Sequence, residues 1–169
     1  MTQEEFSRQV MAMQPTLYRL SCSLLRCKAD REDAVQSAIE KAWRNRFFLH
    51  RTEGFRPWLT RILVNECYTL MRKSARMLPA ESLPENATPY QAAHLPIPDD
   101  AENALALEQL FSALPEEERL ALMLRYVEGY DIRQIARITH SPEGTVKGRL
   151  HRGREHLRTQ IAVKELMDE

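Results

Sequence analysis

Residues 131–154 read DIRQIARITHSPEGTVKGRLHRGR, and this stretch decides the fold. Asp131 is placed to cap a short helix whose apolar positions are Ile132, Ile135, Ala136 and Ile138. Ala136 is small where two helices must cross closely. A tight turn follows through His140, a residue that tolerates left-handed backbone better than most. Ser141 and Pro142 then cap and start a second helix, with Val146, Leu150 and Leu157 turned inward. Its other positions, Thr145, Lys147, Gly148, Arg149, Arg152 and Arg154, are mostly polar or basic. One stripe docks the helix and the other is free to meet a polyanion, which is how the second helix of a helix-turn-helix is built. A basic amphipathic helix alone would more often be a solvated face. The capped helix and turn before it shift the balance to DNA binding.

Upstream, Leu114-Pro115 opens a helix with Glu116, Glu117 and Glu118 in its first turn, and Gly129 ends it. Residues 103–112 read as one further helix. The N-terminal part is helical too. Thr2 and Glu5 form a capping box for a first helix. Pro15 starts a second, with Leu17, Leu20, Leu24 and Leu25. Asp30 caps a third, carrying Ala34, Val35, Ala38, Ile39, Ala42 and Trp43. Pro57 sits near the start of a fourth, which presents Trp58, Leu59, Ile62 and Leu63 inward and runs on to Arg76. No strand alternation is visible. Five of the nine prolines fall between Pro79 and Pro98, a segment that cannot sustain a helix. The expected architecture is therefore all-α: a helical domain over residues 1–76, a Pro-rich acidic linker over 77–102, and a helix-turn-helix domain over 103–169.

The 24 basic and 24 acidic residues cancel, which argues against a protein that coats DNA alone. They are unevenly spread. No Lys or Arg stands between Met77 and Glu118, whereas residues 51–76 and 142–158 are basic. Three sparse cysteines, Cys22, Cys27 and Cys67, make neither a disulfide framework nor a zinc site and read as ordinary thiols. There is no phosphate loop, no helical His-Glu metal pair and no nucleophile elbow; the five histidines are scattered. The expectation is a protein that is not an enzyme and takes no metal, cofactor or small-molecule substrate. No apolar run approaches the ~18 residues of a membrane span, and no secretory signal is visible, which points to the cytoplasm.

Three sets of residues carry a resemblance. Leu114-Pro115-Glu116-Glu117-Glu118-Arg119, Leu124-Arg125-Tyr126, Ile135-Ala136 and the run Gly144 to Arg154 resemble the −35-binding domain of extracytoplasmic-function sigma factors of the sigma-70 family. Leu17-Tyr18-Arg19-Leu20, the run Ala29 to Gln36 and Ala42-Trp43-Arg44 resemble that family's polymerase-binding helix. Phe55-Arg56-Pro57-Trp58-Leu59, Arg61-Ile62-Leu63-Val64-Asn65 and Leu70-Met71-Arg72-Lys73 resemble its −10-binding segment. His140 stands where the family usually has glycine, Gly148 where Ser is common, and Ser37 where an acid is usual.

The resemblance implies a factor that binds core RNA polymerase and directs promoter-specific initiation, opening the −10 element and binding the −35 element. It assigns Ser141, Thr145, Lys147, Arg149, Arg152 and Arg154 to the −35 duplex. Arg61, Asn65, Tyr68, Arg72, Lys73 and Arg76 form a polar, basic stripe suited to the −10 single strand, where a cationic groove and stacking platforms are needed. The loop over 46–54 would read a flipped base and adds Phe48, His50 and Arg51. Trp43, Trp58 and Phe47 are read as core, and Phe48 stays open between core and stacking. Asp30, Asp33, Gln36 and Glu40 are assigned to the polymerase clamp; without the motif they would read as a solvated face. By resemblance the acidic linker threads into the polymerase channel, and an anti-sigma protein is expected as a further partner.

The promoter elements lie on the order of 60 Å apart, and a ~24-residue linker spans up to roughly 75 Å if extended. A helix-turn-helix regulator acting without polymerase would share the C-terminal motif but not the Asp33-Gln36 helix. It would usually show a dimer seam, and no heptad pattern is present. A helical adaptor without a DNA role would leave both basic stripes unexplained.

Overall fold

The computed structural model describes residues 1–49, 54–77 and 109–168. The chain divides into two compact units, Met1–Thr88 and Pro89–Glu169. The fold is all-α, with no strand among the described residues.

The first unit is built from α1 (Gln3–Leu24), α2 (Lys28–Asn45) and α3 (Phe55–Met77), with a 3₁₀ turn, Arg46–Phe48, after α2. The Thr2–Glu5 capping box is present: Thr2 Oγ1 accepts from the Glu5 N–H at 3.2 Å, and the Glu5 carboxylate accepts from the Thr2 N–H at 3.0 Å. The expected break at Pro15 does not occur, because α1 is one continuous helix with Pro15 inside it. The reason lies in which face the proline occupies. Phe6, Val10, Met13, Leu17, Leu20 and Leu24 recur at helical spacing and are all buried. Pro15 and the residue four before it, Met11, are on the exposed face. The Met11 carbonyl that loses its donor there is on the solvent side, and the buried stripe outweighs a proline cost of about 3 kcal/mol.

Against α1 pack two helices of different texture. Helix α2 offers Ala34, Ala38 and Ala42, all fully buried, so its backbone approaches closely. Helix α3 offers Phe55, Leu59, Leu63 and Cys67 at the same spacing. Phe6 meets the edges of Trp43 and Phe55 at ring-centroid distances of 5.1 and 5.7 Å, which closes one end of the core. The chain reversal between α1 and α2 is tied by buried Arg31, whose Nε donates to the Leu25 carbonyl at 2.7 Å. Asp30 does not cap α2 as expected. The helix begins at Lys28, with Cys27 in the cap position, and Asp30 lies in the first turn, where it faces the positive end of the dipole.

The second unit contains α4 (Glu116–Leu122), continuing as a π turn over Met123–Val127, then α5 (Ile132–Thr139) and α6 (Glu143–Met167). Of the helix expected over 103–112, residues 109–112 are helical and the rest lies outside the described residues. Most of the expected linker, 77–102, lies outside them too. Gly129 turns the chain at φ +75°, and the Tyr130 N–H donates back to the Leu124 carbonyl at 2.9 Å. Asp131 caps α5 as expected. Its carboxylate accepts from the Gln134 N–H at 2.8 Å, and the Gln134 side chain accepts from the Asp131 N–H at 2.9 Å. His140 adopts the left-handed conformation (φ 50°, ψ 40°), so the histidine fills the turn position that usually takes glycine. Its N–H and that of Ser141 both return to the Ala136 carbonyl, which closes the end of α5.

Ile135 and Ile138 of α5, Val146 and Leu150 of α6, and Leu120 and Leu124 upstream make the core of this unit. Helix α6 approaches α4 closely at buried Gly153, where a Cβ would stand 2.9 Å from Leu122 Cδ1.

Candidate nucleic-acid interface

Helix α6 is 25 residues long, and its first half carries the basic side chains assigned from sequence. Val146, Leu150 and Gly153 fix which face is buried. Lys147, His151, Arg152 and Arg154 are therefore exposed, with Thr145 half-buried at the margin. The arginines are not equally available. Arg154 Nη1 donates to the Tyr126 hydroxyl at 2.9 Å on the exposed surface. Arg152 Nε lies 3.6 Å from Glu118 Oε1, and the same carboxylate's Oε2 is 2.5 Å from His156 Nδ1. Glu118 is buried, so this acid joins two turns of α6 to the start of α4. Arg149 has only 16% of its side chain exposed; its Nη2 lies 3.2 Å from Glu117 Oε2 and its Nη1 donates to Ser141 Oγ at 2.8 Å.

Ser141 departs from the expected cap. Pro142 occupies the cap position of α6 with no side-chain hydrogen bond. The Ser141 hydroxyl instead donates to the Thr139 carbonyl at 3.1 Å and accepts from Arg149. The arginine takes the oxygen that a capping serine would turn toward the helix.

In the first unit, Arg61, Asn65, Tyr68 and Arg72 follow the i, i+4, i+7, i+11 rule on α3 and form one row. Arg61, Asn65 and Arg72 are exposed and Tyr68 is half-buried. Lys73 is exposed beside the row. At 1.5 Å per residue the row is about 16 Å long, the length of four or five stacked bases at ~3.4 Å each. Phe48 is 76% exposed, which settles its open assignment against the core. Phe47, expected in the core, is 70% exposed. It lies on the 3₁₀ turn beyond the last packed turn of α2, with the Arg46 guanidinium 4.1 Å from its ring and 3.6 Å from that of Trp43. Arg46 thus lies against both the half-buried Trp43 ring and the exposed Phe47 ring. His50 and Arg51 lie outside the described residues.

Asp33, Gln36 and Glu40 are exposed on one face of α2, and Gln36 Nε2 donates to Glu40 Oε1 at 3.3 Å. Asp30 is half-buried a turn earlier. Beside this polar face runs an open groove that the sequence reading missed. Pro15 and Tyr18 of α1 and Val35 and Ile39 of α2 line it, and Gln14, Glu32, Gln36 and Glu40 rim it. A signal was present. Ala34, Ala38 and Ala42 already satisfy one core stripe, so Val35 and Ile39 widen the apolar arc beyond what a single contact buries.

The thiols are free, with Cys22 and Cys67 buried and Cys27 half-buried. Burial pushes the Cys22 thiol above its ordinary range, which keeps it protonated. No group of His, Cys, Asp or Glu suited to a metal ion occurs among the described residues, and no described helix is long and apolar enough to cross a membrane.

Two helical units of this kind, one with a polar helix face and a basic row and one with a helix-turn-helix, match known families. Residues 9–77 match Sigma-70 region 2, and residues 104–157 match Sigma-70, region 4. The ECF RNA polymerase sigma factor SigW of Bacillus subtilis is 32% identical over 168 residues, covering 94% of this chain and 90% of that protein. The probable RNA polymerase sigma factor RfaY of Xanthomonas campestris is 32% identical over 165 residues, although the chain spans only 41% of its length. Among solved structures, the sigma factor RpoE of Bartonella quintana, in complex with the anti-sigma factor NepR, aligns with a TM-score of 0.76 and 25% identity, over 95% of this chain and 98% of that one. The chain belongs to the extracytoplasmic-function sigma factors of the sigma-70 family.

Proposed function

We propose that this chain binds core RNA polymerase and confers promoter specificity through two different DNA surfaces. The α3 row of Arg61, Asn65, Tyr68, Arg72 and Lys73, with Phe48, His50 and Arg51 beyond α2, holds the opened −10 strand. The polar and basic residues of α6 outside its buried stripe, Thr145, Lys147, Arg152 and Arg154, read the −35 duplex. The observation that carries this reading is the pairing of unlike surfaces on one chain. A helix with a docked apolar stripe and an exposed basic face suits the major groove. A basic row on a unit that also exposes aromatic rings suits unpaired bases.

Helix α2 supplies the polymerase contact. Asp30, Asp33, Gln36 and Glu40 give a polar face, and the Tyr18–Val35–Ile39 groove beside it gives the apolar part a stable interface needs. By likeness to the RpoE–NepR complex, an anti-sigma protein is a further partner. The chain contributes binding and strand separation, while catalysis belongs to the polymerase.

Direct binding of the purified chain to core polymerase tests the docking half. Ile39→Asp places a charge in the groove without touching the Ala34–Ala38–Ala42 core. It should weaken binding by tenfold or more, on the scale of about 1.4 kcal/mol per decade. Unchanged binding removes the groove from the interface.

A further inference from the structure

The sequence pattern treats every arginine of α6 alike, and the geometry separates Arg149 from the rest. It adjoins the buried Val146–Leu150–Gly153 stripe on the side facing α4. Both terminal nitrogens of its guanidinium have partners, Ser141 Oγ at 2.8 Å and Glu117 Oε2 at 3.2 Å, and little of the side chain reaches solvent. Those partners belong to two other parts of the unit: the turn of the helix-turn-helix and the first turn of α4. A guanidinium is a planar fork suited to holding two acceptors at fixed angles.

We infer that Arg149 is a positioning residue for promoter recognition, a strut that sets the angle of α6 against α4 and the turn, and that Glu117 is its required partner. This rests on the reading of the second unit as duplex-binding. A base contact by Arg149 would compete with both partners, and losing the Glu117 pair would leave that carboxylate unneutralised near a phosphate backbone. Lys147 and His151 are exposed on the outer face of α6, and neither makes an ion pair among the described residues. The strut acts on DNA through them and through Arg152.

The test uses holoenzyme reconstituted from the full chain and core polymerase, with duplexes drawn from a library randomised across the upstream element. Arg149→Ala, Glu117→Ala and the double variant are compared with Lys147→Ala, and circular dichroism confirms folding at the assay temperature. Losing one charge-assisted contact should make Arg149→Ala and Glu117→Ala each weaken selected-duplex binding by about tenfold, with the double variant no weaker than Arg149→Ala. The preferred base at each position and the salt dependence should stay unchanged in both, whereas Lys147→Ala should lower the salt slope by about one.

The inference is overturned if Glu117→Ala leaves binding unchanged or tightens it while Arg149→Ala relaxes one base position or lowers the salt slope, since that marks a direct contact. It is also overturned if both variants lose stability but bind normally when folded. Should Arg149→Ala fail to fold, Glu117→Ala alters a carboxylate that is 62% exposed and carries the same outcomes. If the wild-type holoenzyme selects no duplex element, the duplex-binding reading falls and the strut falls with it.

Discussion

Replacing His140 by glycine should stabilise the second unit. His140 holds φ 50° and ψ 40° at the end of α5, with an exposed side chain. Left-handed backbone costs an L-residue roughly 1–2 kcal/mol, and histidine lies at the tolerant end of that range. Glycine removes this cost but adds about 0.5–1 kcal/mol of chain entropy to lose on folding. The net gain is on the order of 0.5–1 kcal/mol, which for a unit of this size raises the midpoint by roughly 3–6 °C. The assay has an internal control, because both tryptophans, Trp43 and Trp58, belong to the first unit. Tryptophan fluorescence follows that unit alone, while far-ultraviolet circular dichroism follows both. In His140→Gly the dichroism component assigned to the second unit should move up, and the fluorescence transition should stay in place. His140→Val should move the same component down, because a β-branched residue tolerates this conformation worst. A His140→Gly chain no more stable than the original, or a His140→Val chain unchanged, refutes a strained turn.

Other substitutions separate capping, packing and charge. Asp131→Ala removes the carboxylate that accepts from the Gln134 N–H, one arm of the α5 capping box, and should cost the second unit about 1 kcal/mol, seen in the same dichroism component. Leu17→Ala empties a fully buried site at the centre of the first unit and should cost about 2–5 kcal/mol, read by tryptophan fluorescence in denaturant. Phe47→Ser should leave the stability of that unit within about 0.5 kcal/mol, since the ring is at the surface; a loss of 3 kcal/mol or more would return it to the core.

The helix-turn-helix was legible because its signals are local. Asp131 caps within one turn, Ile135 and Ile138 bury one face, and His140 terminates the helix through its own backbone. The same locality explains the misreadings. Pro15 carries a helix-start signal, but the Met13–Leu17–Leu20 stripe that overrides it is buried against distant residues of α2 and α3. Asp30 is a good cap by type. The actual start of α2 is set by the chain reversal that Arg31 ties to Leu25, a tertiary contact. The availability of Arg149 was not readable either. Its sequence neighbours are basic and exposed, and its restraint comes from Glu117, which lies far away along the chain. The groove beside Val35 and Ile39 depends on where α1 sits relative to α2, which no pattern within α2 states.

The most direct test of the account is promoter selection by core polymerase reconstituted with this chain, on a library randomised at both elements. The expected result is a paired duplex and melted motif, with Asn65→Ala affecting recognition of only the melted half and Lys147→Ala weakening recognition of only the duplex half. Sequence-specific duplex binding by the chain without polymerase, or one substitution disturbing both halves alike, would contradict it.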